Sequence, residues 1–178
     1  MSSASIKKII SCNKKQLINM VLDIERYPDF VPWCIEGKIL EKKESKDFIE
    51  IKADLKVGKK FINEVYSSFV LYSKKKDLIT VTNIDGPLKY LKNDWKFKKI
   101  NNSTQLEFTI DFELKNSFLN IIMKNSFNFG LNKITDAFEA GQKAWGYDNS
   151  IPPEKAVKPK LIIKPVVDFT NPNFLKTQ

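Results

Sequence analysis

A change of hydrophobic period near residue 116 constrains this chain more than any other feature. Before it, apolar residues recur at every second position, most clearly in Leu106, Phe108, Ile110, Phe112 and Leu114 set against Glu107, Thr109, Asp111 and Glu113. Such alternation belongs to a strand with one buried face. From Ser117 to Trp145 the spacing becomes about 3.6, with Leu119, Ile122, Met123, Phe127, Leu131, Ile134, Phe138 and Trp145 on one stripe. A helix of that length spans ~40 Å at ~1.5 Å per residue, enough to cross a whole curved sheet. Gly130 and Gly141 fall inside it and are read as tolerated helix glycines, at ~1 kcal/mol each relative to alanine. The fold class that follows is α+β: a twisted antiparallel sheet of about six or seven strands wrapped around a long C-terminal helix.

The remaining elements fit that frame. Residues 4 to 10 alternate weakly as a first strand. Asn13 followed by Gln16 resembles a capping box, and Leu17, Met20, Val21 and Ile24 then form the apolar face of a helix. Ile49, Ile51, Ala53, Leu55 and Val57 alternate with charged residues, and Gly58 predicts a turn. The next strand, residues 60 to 72, is expected to turn Phe61, Val65, Phe69 and Leu71 inward, with Asn63 and Ser67 sharing that face. Lys74 to Asp77 reads as a hairpin tip, Asp85-Gly86-Pro87 as a turn, and Asn101-Asn102 as another; between them lie strands over 78–84 and 89–100, the latter carrying Leu91, Trp95 and Phe97.

Between the first helix and the sheet stands Tyr27-Pro28-Asp29-Phe30-Val31-Pro32-Trp33-Cys34. Each proline fixes its own φ and biases its predecessor toward extended backbone, so Tyr27 and Val31 are expected to be non-helical. Three aromatics at such a corner are costly in water, and they are expected to line or plug one end of an apolar interior.

Composition excludes whole classes of chemistry. The chain of 178 residues has no histidine, which removes the usual general base, the usual zinc ligand and every His-dependent triad. No metal or catalytic residue is expected, and the chain is read as a non-enzyme. No apolar run is long enough to span a bilayer, and the N-terminal residues lack the order of a signal peptide. Cys12 and Cys34 are expected to be free thiols. The net charge of +9 comes from 29 lysines and a single arginine, Arg26. It points to a polyanionic partner, either ribosomal RNA or an anionic membrane, or to a solvated surface.

The inward strand residues and the helix stripe are mostly aromatic or branched aliphatic. A sheet that grips a helix through such side chains can enclose a hydrophobic cavity; alternation alone is equally compatible with a solid core. The cavity is expected to be bounded by Phe30, Trp33, Leu55, Phe61, Val65, Leu91, Trp95, Phe108, Phe112, Phe127, Leu131 and Ile134.

Three segments carry a resemblance to a known family: Tyr27-Pro-Asp-Phe-Val-Pro-Trp-Cys34, Gly86-Pro-Leu-Lys-Tyr-Leu-Lys-Asn-Asp-Trp95-Lys-Phe97, and Asp111-Phe-Glu-Leu-Lys-Asn116 leading into the Phe-rich helix. Tyr27, Pro28, Pro32, Cys34, Gly86 and Pro87 are its motif positions. Together they resemble the coenzyme Q-binding START-like family, within the polyketide cyclase and lipid-transport superfamily, over about residues 4 to 146. The resemblance implies a helix-grip fold whose cavity holds ubiquinone or a similar prenyl lipid as a bound ligand rather than a cofactor. It implies a role supporting respiratory electron transfer or quinone biosynthesis. Bacterial RatA relatives imply the alternative: a toxin that binds the large ribosomal subunit and blocks subunit association. Lysine stands in place of nearly all arginine, so contacts that depend on a bidentate guanidinium are not expected.

Residues 1–147 are therefore expected to form one START-like domain. Residues 148–178 form a basic, proline-rich tail whose Lys155, Lys158, Lys160 and Lys164 flank Leu161-Ile162-Ile163. The tail suits either peripheral membrane contact or docking back on the domain. The expected location is the cytoplasm, at the inner membrane periphery, with the mitochondrial matrix face as the alternative; no DNA contact is expected.

Overall fold

The computed structural model describes residues 2–29, 31, 34–59, 62–115 and 136. In chain order they form β1 (Ser2–Ile10), α1 (Lys14–Leu22), a short 3-10 helix (Ile24–Asp29), β2 (Cys34–Glu44), β3 (Phe48–Lys59), β4 (Ile62–Ser73), β5 (Leu78–Asp85), β6 (Leu88–Ile100) and β7 (Ser103–Leu114). The seven strands make one sheet in the order β1-β7-β6-β5-β4-β3-β2. Every neighbouring pair is antiparallel. From β2 to β7 the sheet is a plain meander of short turns, and β1 returns beside β7. The helix expected over 117–145 and the tail over 148–178 lie outside the described residues, Asp136 excepted.

The turns form for the reasons their residues suggest. Asp77 and Asn101 take positive φ at 48° and 50°, where Asp and Asn are the tolerated non-glycine residues. Gly86, at φ 114°, turns β5 into β6, and its N–H donates to Asp85 Oδ1 at 2.7 Å. Asn13 caps α1, its Oδ1 accepting from Lys15 N at 2.8 Å. The return half of the capping box is not made, since Gln16 Oε1 is buried with no hydrogen-bond partner among the described residues.

α1 lays Leu17, Met20 and Val21 on the sheet, followed by Ile24. They join Ile10, Ile51, Ala53, Val70, Ile79, Trp95, Phe97, Leu106 and Phe108 in one core. At the junction of β1 and α1 the buried Thr104 hydroxyl donates to the Cys12 carbonyl at 2.8 Å, tying the start of the helix to β7. Lys8 shares the phase of Ala4, Ile6 and Ile10 in β1 and pairs with Asp136, so residue 136 stands against that end of the sheet.

Three expectations are corrected. Tyr27 is not extended: it lies in the 3-10 helix with Pro28 inside. A proline φ near −65° suits 3-10 geometry, and the helix ends within one residue of Pro28. Gly58 is not a turn, because β3 runs on to Lys59 with Gly58 opposite Asn63. The phase of β4 is reversed: Tyr66, Ser68 and Val70 face inward, whereas Val65 is 48% exposed. β4 is apolar in both phases, so its own pattern decides nothing. Its pairing with β3 decides, because residues directly opposite share a face, and Leu55, Ala53 and Ile51 stand opposite Tyr66, Ser68 and Val70. Ser67 is thereby outside, where its hydroxyl donates to Asp54 Oδ1 at 2.5 Å.

Candidate ligand-binding cavity

The inner face of β3 to β7 does not pack solidly against α1 and the corner. A cavity of about 320 Å³ remains between them. Val21, Ile24, Tyr27 and Val31 close it from the helix and corner side, followed by Cys34 at the start of β2. The sheet supplies Leu55 and Val57 from β3, Tyr66, Ser68 and Val70 from β4, and Ile79 and Val81 from β5. β6 adds Leu88, Leu91, Asn93 and Trp95, and β7 adds Phe108, Ile110, Phe112 and Leu114.

Local features of β2 shape the corner side of the cavity. β2 is bulged between Cys34 and Glu36 and again between Ile39 and Glu41, which bends the edge strand around the corner. Gly37 lies between those bulges, and a Cβ there would stand 2.1 Å from the Ile24 carbonyl oxygen. Only glycine lets the strand and the 3-10 helix approach so closely. On the far wall Trp95 and Phe108, directly opposite in β6 and β7, meet edge to face with ring centroids 4.4 Å apart.

Among the described residues, no lining residue is an acid, a lysine or an arginine. The titratable groups present are Tyr27, Tyr66 and Cys34, and each is held in its neutral form. Burial pushes the Cys34 thiol up to about 11, partly opposed by a backbone hydrogen bond of Glu36. Burial likewise raises both tyrosines, helped by their mutual proximity in the case of Tyr27. The Tyr27 hydroxyl donates to the Val21 carbonyl, fastening the corner to the end of α1. Neither cysteine is in a disulfide; Cys12 is buried and Cys34 half-buried. Among the described residues there is no group of His, Cys, Asp and Glu able to hold a metal ion, and no helix long and apolar enough to cross a membrane.

Of the residues expected to bound the cavity, Leu55, Leu91, Trp95, Phe108 and Phe112 line it, and Val65 faces away. Phe30, Trp33, Phe61, Phe127, Leu131 and Ile134, with Pro32 of the motif, lie outside the described residues. Tyr27 and Cys34 of the motif are wall residues, while Gly86 holds a turn and Pro87 accepts from Lys115 N at 2.9 Å. Sequence reasoning missed Tyr66 and Ser68 through the β4 phase. It also missed Asn93, which lies in phase with Leu91 and Trp95 and was legible on that ground.

Comparison with known proteins agrees with this architecture. Residues 14–139 match the family described as polyketide cyclase / dehydrase and lipid transport. A ribosome association toxin, RatA, of Rickettsia prowazekii is 31% identical over 139 residues, covering 76% of this chain and 92% of its own length. A mitochondrial coenzyme Q-binding protein of Dictyostelium discoideum is also 31% identical over 139 residues, covering 76% of this chain and 66% of its own length. A START superfamily protein from Mycobacterium smegmatis superposes with a TM-score of 0.68 at 18% identity, over 79% of this chain and 96% of its own. With a START-like sheet that closes over an apolar cavity and a match across most of its length, the chain belongs to the polyketide cyclase / dehydrase and lipid transport family.

Proposed function

We propose that this protein is a non-enzymatic carrier of a prenylated quinone or a similar prenyl lipid, bound with its ring end in the cavity. The observation that carries the reading is the cavity itself, about 320 Å³ and walled, among the described residues, almost wholly by aliphatic and aromatic side chains without a charged group. Pockets that take small molecules run from ~300 to ~1,000 Å³. At the small end of that range the space suits a ring and the first part of its tail, with the rest of a long tail outside. General acid–base chemistry needs a group that titrates near working pH, whereas burial keeps Cys34, Tyr27 and Tyr66 protonated. Binding therefore fits better than catalysis, and a role in respiratory electron transfer or quinone biosynthesis, at the periphery of the inner membrane, fits such a ligand. Mass spectrometry of a lipid extract from the purified full chain tests it. A prenylated quinone or related lipid near one per chain is expected; a lipid-free protein that also takes up no added quinone ends the proposal.

The similarity to RatA and the net charge of +9 favour one second reading, attachment to the large ribosomal subunit. Co-sedimentation with isolated large subunits that weakens steeply with salt would support it.

A further inference from the structure

Among the described residues, one polar atom of the cavity lining is buried without a hydrogen-bond partner. Ser68 and Tyr27 direct their hydroxyls to main-chain carbonyls, of Ala53 at 3.5 Å and of Val21, and the Cys34 thiol faces that of Glu36. Asn93 is different: its Oδ1 is buried and has no hydrogen-bond partner among the described residues. It stands in the middle of the cavity floor, between Leu91 and Trp95 along β6 and flanked by Val81 of β5 and Ile110 of β7.

A second asparagine shows what the same side chain does when the fold needs it. Asn83 accepts from Leu91 N at 2.7 Å and donates to the Leu88 carbonyl at 3.3 Å, bridging β5 and β6 where their ladder is interrupted. Asn93 bridges nothing. A buried amide oxygen without a donor costs free energy, and leucine or valine would fill that place more favourably. A ligand that supplies the missing hydrogen bond removes the cost.

We infer that Asn93 is the residue that recognises the ligand. Its Oδ1 accepts a hydrogen bond from a hydroxyl at the ligand's polar end and holds that end against the floor beside Trp95. An amide oxygen only accepts, so a reduced quinol, which carries O–H donors, supplies the missing bond, whereas a quinone carbonyl does not. This inference rests on the proposed carrier function and names the group that distinguishes a quinol-like ligand from a plain hydrocarbon of equal size.

The test compares the full chain with its Asn93→Leu variant, using decylubiquinol kept reduced under anaerobic conditions and decylbenzene as probes, with binding followed by tryptophan fluorescence. The variant is expected to bind decylubiquinol about tenfold more weakly and decylbenzene as well as the parent does. Without ligand it is expected to unfold at a temperature no lower than the parent. Equal affinity of both proteins for decylubiquinol overturns the inference and leaves the carrier function standing. A parallel loss for both probes, or unfolding several degrees lower in the ligand-free variant, overturns it as well, because either outcome makes the side chain structural. A parent protein that binds neither probe overturns the carrier function and the inference together.

Discussion

Single side chains set the shape of the cavity more than its chemistry. Gly37 has no freedom to grow: the carbonyl oxygen of Ile24 stands 2.1 Å from where a Cβ would be. Gly37→Ala is expected to cost about 2 kcal/mol as the 3-10 helix is pushed from β2, and thermal unfolding reads the loss directly. An unchanged unfolding temperature would mean that the strand and the corner are not in contact. Tyr27 tests the same junction from the other side. Its hydroxyl joins the Val21 carbonyl at the end of α1, so Tyr27→Phe removes one hydrogen bond and about 1 kcal/mol of stability. The aromatic wall remains, so uptake of a hydrophobic probe is expected to survive in Tyr27→Phe and to fall in Gly37→Ala.

Hairpins are the elements whose errors reach the cavity. A Cβ at Gly86 would meet Tyr66 Cα and the Val65 carbonyl oxygen, each at 2.8 Å, so the turn between β5 and β6 leans on the backbone of β4. Its φ of 114° adds strain for any L side chain. Gly86→Ala is expected to lose about 1 to 3 kcal/mol and to displace Tyr66, weakening probe binding in a way that an Asn13→Ala cap deletion of about 1 kcal/mol does not. Urea unfolding with parallel probe titrations separates the two. The hairpins also show what the sequence made legible. Strands β3, β6 and β7 alternate cleanly, and their inward residues Leu55, Leu91, Trp95, Phe108 and Phe112 do line the cavity. β4 was misread because Val65, Phe69 and Leu71 compete with Tyr66, Val70 and Tyr72 for the inward phase. Only pairing to β3 breaks that tie, and a pairing register is a non-local fact that no window of sequence contains. The close approach at Gly37 was equally hidden, since it depends on where the Ile24 carbonyl falls once the corner has folded.

Among the described residues, the paired surface glutamates and the ionisable groups of the cavity shift in opposite senses, and that contrast bears on how stability should follow pH. At the surface Glu41 sits between Lys43 and Lys52, which hold its carboxyl down to about 2. Glu44, Glu107 and Glu113 are likewise lowered by Lys74, Lys7 and Lys89. A depressed carboxyl contributes stability that is present above its ordinary value of 4.5 and is lost as pH falls toward the folded value. These pairs are exposed, so their acid-side loss should be shallow and should shrink further in salt. The cavity groups act oppositely. Cys34, Tyr27 and Tyr66 are neutral when protonated, and burial raises all three. Their contribution is therefore complete below the ordinary thiol value of 9.0 and is lost as pH rises, for Cys34 through about 11. The urea midpoint is expected to stay nearly level from neutral pH to about 9, then to fall steeply with little sensitivity to salt, because the groups responsible are screened by protein rather than by ions. Tyr66→Phe, which cannot ionise there, should flatten part of the alkaline fall, and so should a bound hydrophobic ligand that keeps water from the thiol and phenols. A midpoint unchanged between pH 9 and 11, or an alkaline fall that salt abolishes, would show that ionisation of these cavity groups is not what the folded state resists.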